Sequence, residues 1–309
     1  MNQSCFILYG PTASGKSNIA NKLAKKLPIE IVNMDSVQVF KGFNIGAAKP
    51  DHEILKEIPH HLIDIASVPE HFSVSAFLEH FDIVIKDIKE RGKIPLVVGG
   101  TMLYLKAIVD GGLSAMPDID EQLKFNIHKA LDCITQKQKY DLLIMVDSEW
   151  AKQIHPNDIQ RTTRGLLVYF ATKRPISSFN SKPNQYQFHP KLIAINVNDR
   201  QWLHQRISKR VDLMLEMGLI EEVVNLIKSH HKYLDHFVFR SIGYKQVIDM
   251  IKHGSDCQTF KNELNAATRQ FAKRQITWMK RYQADLVVDP TNYSLINIEE
   301  WLISHGNYG

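Results

Sequence analysis

Gly10-Pro11-Thr12-Ala13-Ser14-Gly15-Lys16-Ser17 decides the fold of this 309-residue chain. It follows a short apolar run, Cys5 to Tyr9, and precedes a stretch with Ile19, Ala20, Leu23, Ala24 and Leu27 at helical spacing. Strand, Gly-rich turn and helix in that order form a phosphate-binding loop, whose backbone N–H groups point at an anion held at the start of the helix. Gly10, Thr12, Ala13, Ser14, Gly15, Lys16 and Ser17 form the cradle, with Lys16 reaching the outer phosphates and the Ser17 hydroxyl holding a Mg²⁺ ion that bridges them. The loop specifies a polyphosphate and leaves open what carries it.

The surrounding pattern predicts an α/β domain with a mostly parallel sheet. Ile29 to Val32 reads as a second strand, Ser75 to Arg91 as an amphipathic helix, and Ile94 to Val98 as a strand buried on both faces. After Gly111-Gly112 the texture turns helical and polar, interrupted at Pro117, Pro156, Pro175 and Pro183. Strand-like sequence returns at Leu192 to Val197 and Leu286 to Val288, with long helices at 200–217, 219–229 and 259–282. The economical division is a discontinuous α/β core, 1–112 and 191–309, interrupted by a helical insertion at 113–190.

Composition narrows the function classes. Apolar content of 44% and charged content of 23% are those of a globular protein, and no apolar run approaches the ~20 residues that span a bilayer. The opening Met1-Asn2-Gln3-Ser4 has no basic n-region or cleavage site, and Cys5, Cys133 and Cys257 form no metal-ligand spacing. A cytosolic, monomeric protein without a membrane partner is expected. The net charge of +5 is uneven: residues 201–283 hold 14 Lys and Arg against 8 Asp and Glu. That surplus is either a solvated helix face or the footprint of a polyanion.

Several residues outside the loop carry chemistry. Asp35 ends the second strand, where a carboxylate serves as a general base or caps a turn with Ser36. Thr101, after Gly99-Gly100, either caps the next helix or lends its hydroxyl to the site. Arg206 and Arg210, four apart on one helix face, suit a diphosphate or a solvated surface. In Thr268 to Tyr282, basic residues interleave with Phe271, Trp278 and Tyr282, which fits an RNA surface as well as an amphipathic core helix. On the loop alone, a small-molecule or nucleotide kinase using ATP remains an alternative.

Seven segments, in order, resemble the tRNA dimethylallyltransferase family: GPTASGKS (10–17), DSVQVF (35–40), HHLID (60–64), GGTMLY (99–104), HPNDIQRTTR (155–164), SIGYKQ (241–246) and TRQFAKRQITW (268–278). The resemblance implies a P-loop NTPase-like core that binds dimethylallyl diphosphate with Mg²⁺ and alkylates N6 of an adenosine beside the tRNA anticodon. It implies Asp35 as the general base, Thr101 as the catalytic threonine, and Arg206, with Arg210, at the diphosphate. It places Asp35, Ser36, Val37 and Gln38 at the RNA, and Ile159, Gln160, Arg161, Thr162 and Thr163 of the insertion at the anticodon stem-loop. Arg240, Lys245, Lys273, Arg274, Trp278 and Arg281 complete the implied RNA contacts. Four positions depart from the usual pattern: Phe40 for Tyr, Ala47 for Thr, Lys173 for Gly, and Gly165 for Ala inside a helix.

Overall fold

The computed structural model describes residues 3–112, 119–179 and 188–306. The chain divides into two compact units, Met1–Val109 with Tyr186–Gly309, and Asp110–Gln185. No helix among the described residues is long and apolar enough to cross a membrane.

The first unit is a six-stranded parallel sheet between helices. Its elements before the interruption are β1 (Gln3–Tyr9), α1 (Lys16–Ala24), β2 (Ile29–Met34), α2 (His52–Glu57), β3 (His60–His61), α3 (Val74–Glu90), β4 (Ile94–Gly99) and α4 (Met102–Val109). The second unit contributes α5 (Glu121–Asp132), α6 (Gln136–Val146), α7 (Ser148–Gln153) and α8 (Ile159–Thr172). The first unit then resumes with β5 (Phe188–Ile195), α9 (Arg200–Glu216), α10 (Leu219–Ser229), α11 (Tyr244–His253), α12 (Cys257–Met279), β6 (Leu286–Val288) and α13 (Leu295–His305). The strand order is β3-β2-β4-β1-β5-β6, every pairing parallel.

Alternation along β1 shows how the sheet is buried on both faces. Ile7 and Tyr9 pack with Phe77, Phe81 and Ile85 of α3 and Leu105 of α4, while Phe6 and Leu8 pack with Ile19 and Leu23 of α1 and Leu302 of α13. Every residue of β2 and β4 is buried. Glu30 is the charged exception in β2, paired with Arg91 and, at 2.7 Å, with His61 Nε2. A third cluster, built from Val39, Phe40 and Phe43 with Val211, Val223, Phe239, Tyr244 and Phe260, anchors α9–α12 beside the carboxyl ends of the strands.

The structure departs from the sequence reading at several elements. The strand expected from Leu192 begins at Phe188, inside the stretch 113–190 assigned to the insertion. His60-His61 is an edge strand pairing with Ile31 and Val32, not predicted from the sequence because two residues are too few to carry a period. Gly165 has a packing reason, because a Cβ there would lie 2.7 Å from Leu143 Cδ1 and 3.1 Å from Trp150 Cδ1. Lys173 ends α8 at φ +58°, the left-handed conformation in which a side chain costs roughly 1–2 kcal/mol and Gly costs little. Phe40 is buried among Phe43, His236 and Phe237 at centroid distances of 6.3, 5.3 and 5.4 Å, an enclosure that suits a ring without a hydroxyl.

Candidate active site

The phosphate loop leaves β1 at Tyr9 and enters α1 at Lys16. Ala13 at φ +61° and Gly15 at φ +95° take left-handed backbone, the curvature that turns successive N–H groups toward one concave side. Gly10 admits no side chain, since a Cβ would lie 2.8 Å from Ile195 Cβ and 3.2 Å from the Oγ of buried Ser14. The Lys16 ammonium donates to the Pro11 carbonyl at 2.7 Å. Desolvation lowers its pKa to about 7, with Arg210 adding to the depression and Asp35 opposing it. Ser17 is exposed beside it on the first turn of α1.

The two arginines take different places. Arg206 grips the loop from outside: its Nε donates to the Ala13 carbonyl at 2.7 Å, and its guanidinium lies 4.8 Å from the Trp202 ring centroid. Arg210 lines both cavities of the site. Burial lowers its pKa and Asp35 opposes that shift. Arg210 therefore faces the cavities, while Arg206 stays at the phosphate loop itself.

Two cavities meet over the strand ends. The narrower, about 90 Å³, is lined by Thr12, Lys16, Ser17, Asp35, Gly99 and Arg210 among others, and has apolar walls from Ala20, Ile31, Ala47 and Val98. It is far smaller than the ~300–1,000 Å³ of sites that enclose a drug-sized ligand, so it admits a small group. The wider, about 300 Å³, is lined by Ser36, Val37, Thr101, Arg240, Phe271 and Arg274. Thr12, Asp35, Ala47, Arg210 and Phe271 line both.

Asp35 caps the turn that follows β2. Its Oδ1 accepts the N–H of Val37 at 2.8 Å and of Gln38 at 3.3 Å, fixing the turn, while Oδ2 has no hydrogen-bond partner among the described residues. Thr101 Oγ1 accepts the Ser36 N–H at 3.2 Å, and the Thr101 N–H donates to Met34 O at 3.3 Å. Thr101 is thereby tied to the Asp35 turn, across β2 and β4. Gln38 is anchored by its Nε2, which donates to the carbonyls of Ala47 at 3.0 Å and Ala48 at 3.2 Å.

The loop that holds Gln38 is set from a distance. Glu222 accepts the N–H groups of Asn44, Ile45 and Gly46 at 3.1, 2.7 and 3.1 Å, and the Tyr244 hydroxyl donates to it at 2.9 Å. That hydroxyl also accepts the Ala47 N–H at 3.1 Å. Sequence reasoning missed this pair, because a Glu and a Tyr on separate helices carry no local signal. It also missed Gln275, buried on α12 and bonded to Thr12 and Gly100.

The residues expected at RNA separate into distinct groups. Arg240 and Arg274 line the wider cavity, and Lys273, Arg274, Thr277 and Trp278 share a shallow surface depression. Trp278 is half-buried, packed against the sheet core with Arg281 4.5 Å over its ring, while still lining that depression. Lys245 is exposed and paired with Asp249, outside both cavities. In the helical unit, Ile159, Gln160 and Arg161 are exposed and Thr163 half-buried at the start of α8, which Asp158 caps. Thr162 is fully buried, its hydroxyl accepting from Gln136 Nε2 at 3.2 Å, so its side chain offers RNA nothing.

Comparisons with known proteins agree with this architecture. The family model described as IPP transferase matches residues 38–282. The tRNA dimethylallyltransferase of Neisseria meningitidis is 40% identical over 294 residues, covering 92% of each chain. The tRNA isopentenylpyrophosphate transferase structure from Bacillus halodurans is 30% identical with a TM-score of 0.71, covering 98% of this chain and 96% of that one. The corresponding structure from Staphylococcus epidermidis is 34% identical with a TM-score of 0.67, covering 97% and 98%. With a family match over most of its length and such relatives along nearly all of it, the chain belongs to the IPP transferase family.

Proposed function

We propose that this protein transfers the dimethylallyl group of dimethylallyl diphosphate to N6 of adenosine 37 of tRNA, releasing diphosphate. One observation carries the reading: the phosphate loop and Asp35 line the same small cavity, and Asp35 and Thr101 line the wider cavity beside it. The diphosphate sits in the loop against Lys16 and Arg210, and the apolar walls take the prenyl chain. The target adenine, out of its stack, enters from the wider side. The N6–C1 bond forms as the C1–O bond breaks, the N6 proton passes to Asp35 Oδ2, and the electron pair leaves on diphosphate. Lys16 and Arg210 stabilise the negative charge that builds on the leaving group.

Among the described residues no three acidic, His or Cys side chains cluster as a metal site. The exposed Ser17 hydroxyl beside Lys16 is a hard oxygen donor of the kind Mg²⁺ takes with phosphate oxygens and water. Ser17 would hold the ion, which supplies charge neutralisation at the diphosphate. RNA contact falls to Asp35–Gln38, Arg240, Lys273, Arg274 and Arg281 in the first unit, and to Ile159, Gln160, Arg161 and Thr163 in the helical unit.

Incubation with labelled dimethylallyl diphosphate, Mg²⁺ and tRNA tests the reading; label in adenosine 37 is the expected result. Label absent from RNA, with ATP consumed on a small acceptor, would establish the kinase alternative instead.

A further inference from the structure

α12 carries a buried amide, Gln275, to which the transfer reaction assigns no role. Gln275 is 4% exposed, near the carboxyl end of a helix whose neighbouring functional positions are basic or aromatic. Its Oε1 accepts the Thr12 N–H at 2.8 Å, and its Nε2 donates to the Gly100 carbonyl at 2.8 Å. The two bonds fix the amide orientation, because a flipped amide would set donor against donor and acceptor against acceptor. Gly100 accommodates this approach by having no side chain: a Cβ there would lie 2.4 Å from Nε2.

We propose that Gln275 is a positioning residue that sets the distance between the diphosphate cradle and the catalytic threonine. Thr12 belongs to the phosphate loop after β1, and Gly100 precedes Thr101 after β4. These strands are direct neighbours, but their pairing ends at Tyr9 and Gly99, so no ladder bond governs the loops beyond. The Gln275 amide spans that gap. Buried amides are costly when unpaired, so both bonds form together or the local structure shifts. Phe271 and Arg274 lie on the same helix and line the wider cavity, so α12 ties the base side of the site to the phosphate side through a single amide. A group held this way affects the reacting geometry more than the binding of RNA.

The proposal rests on the transferase reading, and the test separates the two. Wild-type protein, Q275A and Q275E are assayed with dimethylallyl diphosphate and tRNA across a pH series, with folding checked by circular dichroism. Failure of the wild type to transfer label sinks the transferase reading itself. With an active wild type, Q275A is expected to lower kcat and raise the KM for dimethylallyl diphosphate, together costing about 10²-fold, while the KM for tRNA moves by less than about twofold. Q275E is isosteric. Ionised, it still accepts from Thr12 but sets an oxygen against the Gly100 carbonyl; protonated, it donates again. Its kcat/KM relative to wild type is therefore expected to climb as pH falls. Three outcomes overturn the proposal: a folded variant within about twofold of wild type in kcat and donor KM, a loss confined to the KM for tRNA, or unfolding of both variants, which would make Gln275 a structural residue only.

Discussion

The phosphate side of the site is one continuous stretch, 10–17, joined by Arg210, whereas the acceptor side is assembled from Asp35, Thr101, Arg240 and Phe271, drawn from four separate segments. The first gets its shape from backbone torsions at Ala13 and Gly15, and the second from the packing of α9–α12 against the 37–48 segment. A cradle set by local torsions carries its own curvature, and its distant partners set its spacing from the rest of the site. An assembled surface responds to residues that touch no substrate.

The comparison can be broken most sharply at Asp35. Replacing it by Asn removes the proton acceptor while leaving an oxygen to fix the turn, and kcat is expected to fall about 10²–10⁴-fold. Steady-state kinetics with both substrates checks this, the two KM values staying near wild type. Retained turnover would move the base elsewhere on the acceptor side.

Lys16→Ala probes the phosphate side, where loss of a cation at the leaving group is expected to cost about 10²–10³-fold in kcat. The same residue predicts a pH dependence. Its pKa of about 7 in the free protein rises when a diphosphate binds beside it. Below about 7 the ammonium is already charged and binding takes up no proton. Above that value binding must draw one, so the donor KM rises with pH, by up to about tenfold per unit. KM measured across this window should show the slope in wild type and lose it in Lys16→Ala.

A smaller effect is expected at the RNA surface. The double substitution Lys273→Ala with Arg274→Ala should weaken tRNA binding and flatten its log–log salt dependence by about 0.7–0.9 for each RNA phosphate left without its cation. Binding titrations at several salt concentrations give that slope. An unchanged slope would remove α12 from the interface.

Tyr244→Phe is the mildest and the most diagnostic of the difference between the two sides. It strands the Ala47 N–H and removes the hydroxyl donor to Glu222, at a cost of about 1–3 kcal/mol. Thermal unfolding should move down by several degrees, with the KM for tRNA raised more than that for dimethylallyl diphosphate, since Ala47 lines both cavities. An equal change in both would mean that the two sides are not independent.

The same contrast explains what was legible. The loop at 10–17, the strand at Ile94–Gly99 and the helix at Leu219–Ser229 announce themselves through local spacing, which depends only on torsions and periodicity. Asp35 and Thr101 stand out as polar residues closing apolar strands. Thr162 could not be assigned inward from its basic neighbours, because a β-branched polar side chain suits either helix face until Gln136 supplies its partner. The short strand β3 and the Glu222–Tyr244 pair have no periodic signature, since each exists only through contacts with distant residues.

By itself the sequence determined a phosphate-loop fold at the end of a buried parallel sheet, because eight consecutive residues carry the glycines, the backbone N–H groups and the lysine of that loop. Which arginine lines the cavities, which Asp35 oxygen is free, and how the loop is spaced from Thr101 were decided only by tertiary structure. Arg210, Asp35 Oδ2 and Gln275 acquire their roles from partners drawn from across the first unit. Burial and hydrogen-bond pairing across such distances exist only once the helices have packed.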